Sequence, residues 1–261
     1  MIKVAVTGAM GKMGKEVTKL VLNSPDMKLV CAIDKFNVGE KVYNEVIVED
    51  DIEKSIKLHK PDIAVDFTQP SCIFENAKIY LKNGVRPVIG TTGLSDIQIE
   101  ELKKLSKENN TGCLIAPNFA LGAVLMMMFA KTAAKYFNNA EIIELHHNQK
   151  KDAPSGTAIK TAKMMTSVNK NLKSGNIQDT ELIEGSRGGV YEEDGKGLIN
   201  IHSVRMPGFI ASQEVIFGAD GQTLTVRHDT INRECFMSGV KLGIEYIFEH
   251  NEFIFGLENI L

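Results

Sequence analysis

The first 23 residues constrain this chain more than any other stretch. IKVAVT (2–7) is a short apolar run rich in β-branched residues. GKMGKEVTKLVLN (11–23) then places Met13, Val17, Leu20 and Val21 at helical spacing. Between them stands Gly8-Ala9-Met10-Gly11-Lys12-Met13-Gly14. A strand that turns through glycines directly into a helix opens a strand–helix–strand unit, and such units build parallel sheets. The alternation continues. KLVCAI (28–33), DIAVDF (62–67), PVIG (87–90) and CLIA (113–116) read as buried strands, with helix-like CIFENAKIYLKNG (72–84) and SDIQIEELKKLSKEN (95–109) among them. Ser95 suits an N-cap, and acidic residues follow in the early turns. Strands alternating with helices predict an α/β domain whose parallel sheet is covered on both faces.

After residue 120 the rhythm changes. ALGAVLMMMFAKTAAKYF (120–137) reads as a long, mostly buried helix, with Met126–Met128 as core rather than ligands. EIIELHH (141–147) is strand-like and runs into NQKKDAPSG, and a helix is expected from Thr157 to about Val168. The polar, Gly-rich stretch 170–197 reads as loop. LINIHSV (198–204), ASQEVIFG (211–218) and TLTVRHD (223–229) then follow as grouped strands, and RECFMSGVKLGIEYIFE (233–249) as a closing helix. Grouped strands indicate a second, α+β domain with a mixed or antiparallel sheet. The expected division is 1–120 with 230–261 for the first domain and 121–229 for the second. No internal repeat or low-complexity segment interrupts it.

Composition narrows the partners. The 261 residues suit one large or two modest domains, and 43% hydrophobic with 24% charged residues is ordinary for a globular chain. A formal net charge of −3 gives no reason to expect nucleic acid or an anionic membrane. Attraction for a small anion must therefore come from local cations or backbone dipoles. Cys31, Cys72, Cys113 and Cys235 are scattered, without CxxC pairs, as befits thiols in a reducing compartment. MIKVAVTG shows no secretory pattern and no apolar run reaches a membrane-spanning length, so the cytoplasm is the expected location.

The glycine turn is suited to pyrophosphate. Glycines let the backbone approach an anion, and free N–H groups at the helix start face it. The spacing is GxxGxxG, with Ala9 where the stricter dinucleotide pattern has a glycine. By itself that spacing is equally a tight turn with close helix packing. Two features favour a cofactor: the turn joins the first strand to the first helix, and Asp34 closes the second strand 20 residues after Gly14. A carboxylate there accepts hydrogen bonds from adenine-ribose hydroxyls, while Lys35 beside it offers a cation to a 2′-phosphate. NADH and NADPH are both expected as cofactors, with a lean to NADH.

The run Glu144-Leu145-His146-His147-Asn148-Gln149-Lys150-Lys151-Asp152-Ala153-Pro154-Ser155-Gly156-Thr157 packs two imidazoles and two ammonium groups where a strand meets a loop. Ser155, Gly156 and Thr157 then stand at a helix start, where N–H groups and hydroxyls would bind a carboxylate. A nearby lysine adds a charge-assisted bond worth about 1.5–3 kcal/mol. The bland readings are a metal pair, a solvated lysine surface or a plain turn. Metal is disfavoured because neighbours on a strand point to opposite faces and no third ligand stands at metal spacing.

His-His-x-x-Lys-x-Asp-Ala-Pro-Ser-Gly-Thr-Ala at 146–158 resembles the signature of the 4-hydroxy-tetrahydrodipicolinate reductase (dihydrodipicolinate reductase) family. VTGAMGKMG (6–14), DFTQP (66–70), GTTG (90–93) and APNFALG (116–122) fall in the family's order, and IHSVRMPG (201–208) resembles its later sheet. The resemblance implies a Rossmann-type domain, a substrate domain whose sheets assemble a homotetramer, and NAD(P)H-dependent reduction of a cyclic dicarboxylate on the route to diaminopimelate and lysine. By motif position, Gly8, Ala9, Met10, Gly11, Lys12 and Met13 would hold pyrophosphate and Asp34 the ribose. Gly90, Thr91, Thr92, Ala116, Pro117, Asn118 and Phe119 would flank the nicotinamide half. His146 would donate or accept a proton, Lys150 would donate one, and His147, Gly156 and Thr157 would bind substrate. Arg233 is a further candidate for the site edge. Asn148 and Gln149 stand where some members carry basic residues, and Lys151 is an additional cation; the family register, not the chemistry, selects Lys150.

Two rival readings remain to be weighed. A related amino-acid or semialdehyde dehydrogenase is compatible with the turn at 8–14 but not with 146–158. A non-catalytic NAD-responsive binding protein would be expected to lack the proton donors present at His146 and Lys150. The cofactor reading gives a first prediction: Asp34→Ala lowers kcat/KM for NADH relative to NADPH, by about tenfold or more if one charge-assisted bond is lost. An unchanged ratio between the two cofactors would refute it.

Overall fold

A computed structural model describes residues 1–43, 45–175, 188–193 and 196–261. In chain order the elements are β1 (Ile2–Thr7), α1 (Lys12–Leu22), β2 (Met27–Ile33), β3 (Lys41–Val42), β4 (Val46–Glu49), α2 (Ile52–His59), β5 (Ile63–Asp66), α3 (Ile73–Lys82), β6 (Arg86–Ile89), α4 (Asp96–Glu108) and β7 (Cys113–Ile115). There follow α5 (Leu121–Ala133), β8 (Asn139–His146), α6 (Gly156–Val168), β9 (Gly188–Glu193), β10 (Lys196–Arg205), β11 (Ala211–Ala219), β12 (Gln222–Thr230), α7 (Met237–Glu249) and β13 (Phe253–Phe255). The chain divides into two compact units, Met1–Leu121 with Arg233–Leu261, and Gly122–Asn232.

The first unit is built on an eight-stranded sheet in the order β13-β7-β6-β5-β1-β2-β4-β3. All its pairings are parallel except the β3–β4 edge. Parallel strands buried on both faces need crossover helices on both sides. Ala5, Cys31, Ile33 and Ala64 pack with Ile56 of α2 and Tyr80 of α3, and Ile89, Cys113 and Ile115 pack with α3 and Leu102 of α4. Helices α1 and α7 contact each other, and α7 lies on β5, β6 and β7. The last helix approaches closely because Gly239 carries no side chain: a Cβ there would sit 2.1 Å from the Phe119 carbonyl oxygen. Strand order reverses at β1, so the loops after β1, β5, β6 and β7 gather at one sheet edge, the usual place for a ligand.

Several small elements escaped the sequence reading. Strands β3 and β13 span two and three residues, too short for periodicity to register. Helix α2 has only two turns, with Asp51 accepting from Lys54 N at its start and Lys60 left-handed at its end. The stretch 233–249 is a 3₁₀ turn at Arg233–Phe236 followed by α7, and α5 ends at Ala133 rather than 137.

The second unit carries a five-stranded sheet in the order β12-β11-β8-β10-β9. Strand β8 pairs parallel with β10 and antiparallel with β11, so the sheet is mixed. The loop expected over 170–197 is corrected in part. Gly188–Glu193 is an edge strand antiparallel to β10, and β10 itself begins at Lys196. GGVYEE has few strand formers, so it depends on pairing with its neighbour. Residues 176–187 and 194–195 of that loop lie outside the described residues. Gln213 of β11 donates to Thr161 of α6 at 2.7 Å and lies 3.5 Å from the Met126 sulfur of α5, so both helices cover the sheet face that also carries Glu144. Among the described residues, no helix is long and apolar enough to cross a membrane.

Candidate active site

The glycine turn has the geometry of an anion cradle. Gly8 takes φ +78°, and a Cβ on it would lie 2.6 Å from the Phe67 carbonyl oxygen. A Cβ on Gly14 would meet Gly8 O at 2.0 Å, so α1 starts hard against the turn. Gly11 is the N-cap, without a side-chain acceptor on the first amides, and no acidic residue stands in the first turn. Those amides fit a pyrophosphate. Asp34 ties the cradle to β2: its Oδ2 accepts from Met10 N at 2.9 Å and Oδ1 from Phe36 N at 3.0 Å. The carboxylate thus holds the loop. Lys35 is exposed beside it.

The neighbouring loops are pinned by a buried carboxyl that sequence reasoning gave no role. Asp66, at the end of β5, accepts from Thr68 N at 3.0 Å, Thr68 Oγ1 at 2.6 Å and Asn76 Nδ2 at 3.0 Å. Tyr80 OH lies 3.0 Å from Asp66 Oδ2 and 2.7 Å from Thr7 Oγ1, and Thr91 Oγ1 lies 3.4 Å from Asp66 Oδ1. Burial pushes this carboxyl up despite its donors. The network fastens the ends of β1 and β5 to Thr91, a residue expected at the nicotinamide. Gly90 lets the Phe67 ring lie against the backbone there, since a Cβ would fall 2.0 Å from Phe67 Cε1 and the ring would have to move. Phe67 and Phe119 rings meet at 5.8 Å, Asn118 Oδ1 accepts from Ala120 N at 2.9 Å, and Ala116 and Phe119 are buried while Pro117 and Thr92 are exposed.

In the second unit the expected proton donor or acceptor, His146, stands beside Glu144. Residues i and i+2 on a strand share a face, so β8 sets Glu144 beside His146. His146 Nδ1 lies 2.5 Å from Glu144 Oε2. Arg205 stands opposite His146 in the parallel register. Its Nη1 donates to Glu144 Oε2 at 2.7 Å and its Nη2 to Oε1 at 2.6 Å, while Nη2 also donates to the Asp152 carbonyl at 2.8 Å. Ser155 N donates to Glu144 Oε1 at 3.1 Å. Burial raises the Glu144 carboxyl, but His146 and Arg205 outweigh it and bring it down to about 2.

Lys150 Nζ is bonded to both Asp152 oxygens, at 2.8 and 2.7 Å, and its side chain is one-fifth exposed. Ser155 is buried, and its hydroxyl caps α6 by accepting from Ala158 N at 3.2 Å. That leaves Gly156, exposed, and Thr157, half-buried, to present N–H groups at the helix start. His147 is exposed on the loop side of the strand. Arg233 is exposed at the start of the 3₁₀ turn in the first unit. Cys31 gathers with Glu49 and His59, ligand atoms within 4.8 Å, but burial pushes the thiol up to about 12 and His59 already pairs with Glu49 at 2.7 Å.

Residues 2–119 match the family described as dihydrodipicolinate reductase, N-terminus, and residues 122–261 match dihydrodipicolinate reductase, C-terminus. The chain belongs to the dihydrodipicolinate reductase family. It is 49% identical to 4-hydroxy-tetrahydrodipicolinate reductase of Bacillus pumilus over all of this chain and 98% of that protein. It is 50% identical to the enzyme of the same name in Listeria monocytogenes over the full length of both. The solved dipicolinate-bound dihydrodipicolinate reductase from Paenisporosarcina sp. TG-14 superposes with a TM-score of 0.89 at 48% identity, covering both chains entirely.

The reductase family's C-terminal match includes α7 and β13, which belong structurally to the first unit. The missed residues are Glu144, Asp66 and Arg205. Glu144 had a legible signal in its i, i+2 spacing to His146; Arg205 stands in the quoted IHSVRMPG stretch, but nothing local links it to a partner 61 residues away. Because the Glu144 carboxyl is held below its ordinary value near 4.5, it stabilises the fold above that pH, and this contribution is lost as pH falls toward 2. Urea unfolding across that window is expected to show a shallower pH slope for Glu144→Gln than for wild type, with a loss of about 3 kcal/mol at neutrality. Identical slopes would assign the acid transition to other groups.

Proposed function

We propose that the chain catalyses NAD(P)H-dependent reduction of 4-hydroxy-tetrahydrodipicolinate to tetrahydrodipicolinate, in the diaminopimelate route to lysine. The observation that carries this is the run at 146–157, folded so that an imidazole, an ammonium and an anion-binding helix start stand together in a chain of this family. Substrate, NAD(P)H and one proton give tetrahydrodipicolinate, NAD(P)⁺ and water. When bound, the cofactor supplies the hydride. Gly8 to Met13 would hold its pyrophosphate through backbone amides, Asp34 and Lys35 would meet the adenine ribose, and Gly90, Thr91, Thr92 and Ala116 to Phe119 would flank its nicotinamide.

The remaining work falls to residues of the second unit. A substrate carboxylate seats on the N–H groups of Gly156 and Thr157, with His147 beside it. Ser155 supports this seat as the N-cap. Lys150 leaves Asp152 for the substrate anion and donates the proton that balances hydride addition, with His146 as the partner acid or base. A positioned acid contributes about 10²–10⁴-fold. None of the four cysteines is in a disulfide among the described residues, which suits a reducing compartment, and we place the reaction in the cytoplasm.

We further propose a homotetramer assembled through the second unit's sheet. Helices α5 and α6 cover one face, and the opposite face carries Ile143, Leu145, Val204 and Ile216, all half-buried, beside the Glu141–His202 and Glu214–Arg227 ion pairs. Such a face favours a second copy over water. Leu145→Glu with Ile216→Glu is expected to shift sedimentation equilibrium from tetramer toward smaller species; a monomeric wild type would refute the assembly.

The activity is tested by following NADH and NADPH oxidation at the nicotinamide absorbance, coupled to dihydrodipicolinate synthase with pyruvate and aspartate semialdehyde. Oxidation should need both precursors and be inhibited by pyridine-2,6-dicarboxylate. Lys150→Ala should lower kcat/KM by about 10²–10⁴-fold. Protein that binds NADH yet stays silent in this assay would leave the cradle standing and overturn the reading of 146–157.

A further inference from the structure

An imidazole serves as acid or base at a chosen atom only if its other nitrogen is committed, because the neutral ring can carry its proton on either one. In this protein the commitment is visible. His146 Nδ1 lies 2.5 Å from Glu144 Oε2, and the Glu144 side chain is fully buried. Arg205, whose own side chain is only 5% exposed, grips both Glu144 oxygens in a fork at 2.6 and 2.7 Å. A carboxylate held this way is ionised and can only accept hydrogen bonds. The proton between Glu144 and His146 therefore belongs to the imidazole, on Nδ1. The other nitrogen, Nε2, is left with a lone pair when the ring is neutral and with an N–H when it is cationic.

The same carboxylate reaches further. Its Oε1 accepts from Ser155 N, the amide at the cap of α6, immediately before the Gly156 and Thr157 amides. Arg205 also donates to the Asp152 carbonyl, and the Asp152 carboxylate holds Lys150. One buried ion pair thus orients the imidazole, sets the start of the anion-binding helix and anchors the loop bearing the ammonium group. A strut built only for stability would have no need to face the imidazole.

We propose that Glu144, clamped by Arg205, is a positioning residue for the reduction: it fixes the Nδ1–H tautomer of His146, reserves Nε2 for the substrate and locks that nitrogen in register with the α6 cradle. The proposal rests on the reading of His146 as a proton donor or acceptor. It parallels the carboxylate–imidazole pairs of hydrolases, in which the carboxylate orients the ring and is not itself protonated.

The test is a two-bond ¹⁵N–¹H correlation spectrum of the full-length protein labelled in histidine, with the His146 signals identified by their loss in His146→Asn. The wild type is expected to show a single neutral tautomer with the proton on Nδ1. Glu144→Gln is expected to mix the tautomers and to lower kcat by about 10²–10⁴-fold with KM changed less than about threefold. Should that variant fail to fold, Arg205→Lys keeps a cation with fewer donors and is expected to give the same direction with a smaller loss. A wild-type spectrum with the proton on Nε2 overturns the proposal. So does Glu144→Gln, or Arg205→Lys in its place, with unaltered tautomer and kcat. An Nδ1–H spectrum combined with full activity in His146→Asn removes the catalytic role of His146 itself. The positioning role falls with it, but the geometry of the pair stands.

Discussion

A strand buried on both faces can satisfy its backbone N–H and C=O groups only through neighbouring strands, and that constraint organises the first unit. Running the strands parallel forces each connection through a helix, and covering both faces distributes those helices to both sides. The consequence for function is directional. Every parallel strand ends at the same sheet edge, so the turn after β1 and the loops after β5, β6 and β7 become neighbours although they are spread from Gly8 to Phe119. The loops are then fastened by the buried Asp66 carboxyl, which draws donors from Thr68, Asn76, Tyr80 and Thr91. Burying a carboxyl costs free energy unless donors surround it, and here those donors hold the loop ends in place.

The second unit meets a similar problem with a charge. Glu144 points to the covered face of the mixed sheet, where an unpaired carboxylate would be strongly destabilising. Arg205, His146 and the Ser155 amide compensate it. The parallel pairing of β8 with β10 makes this possible, since it sets Arg205 directly across from His146. Stability and chemistry are therefore joined in one cluster: the groups that neutralise Glu144 are those that carry, cap or anchor the expected proton-transfer residues.

How much of this was legible beforehand depended on sequence distance. The cradle could be read from Gly8, Gly11 and Gly14, because a turn, a close approach and a helix start are local events. The pairing of Asp34 with the loop was half legible: its place at the end of β2 was clear, but its bonds to Met10 N and Phe36 N were not. The start of α6 was readable from Ser155-Gly156-Thr157, yet only the structure showed that Ser155 is buried and that its hydroxyl oxygen accepts from Ala158 N as the cap. Strand β9 falls within the stretch expected as loop or irregular, since GGVYEE forms a strand only by pairing with β10.

The sequence by itself determined the α/β alternation, the glycine turn after β1 and the run of imidazole and ammonium groups at 146–157, because each depends on residues within a turn or two of one another. Tertiary structure alone decided which side chains hold that run, and which hold the loops of the first unit. Arg205 reaches Glu144 across 61 residues, and Tyr80 reaches Thr7 across 73. Periodicity and spacing carry no information about such pairs. They arise when strand register places two polar groups in one buried space, where each must find a partner or remain unsatisfied.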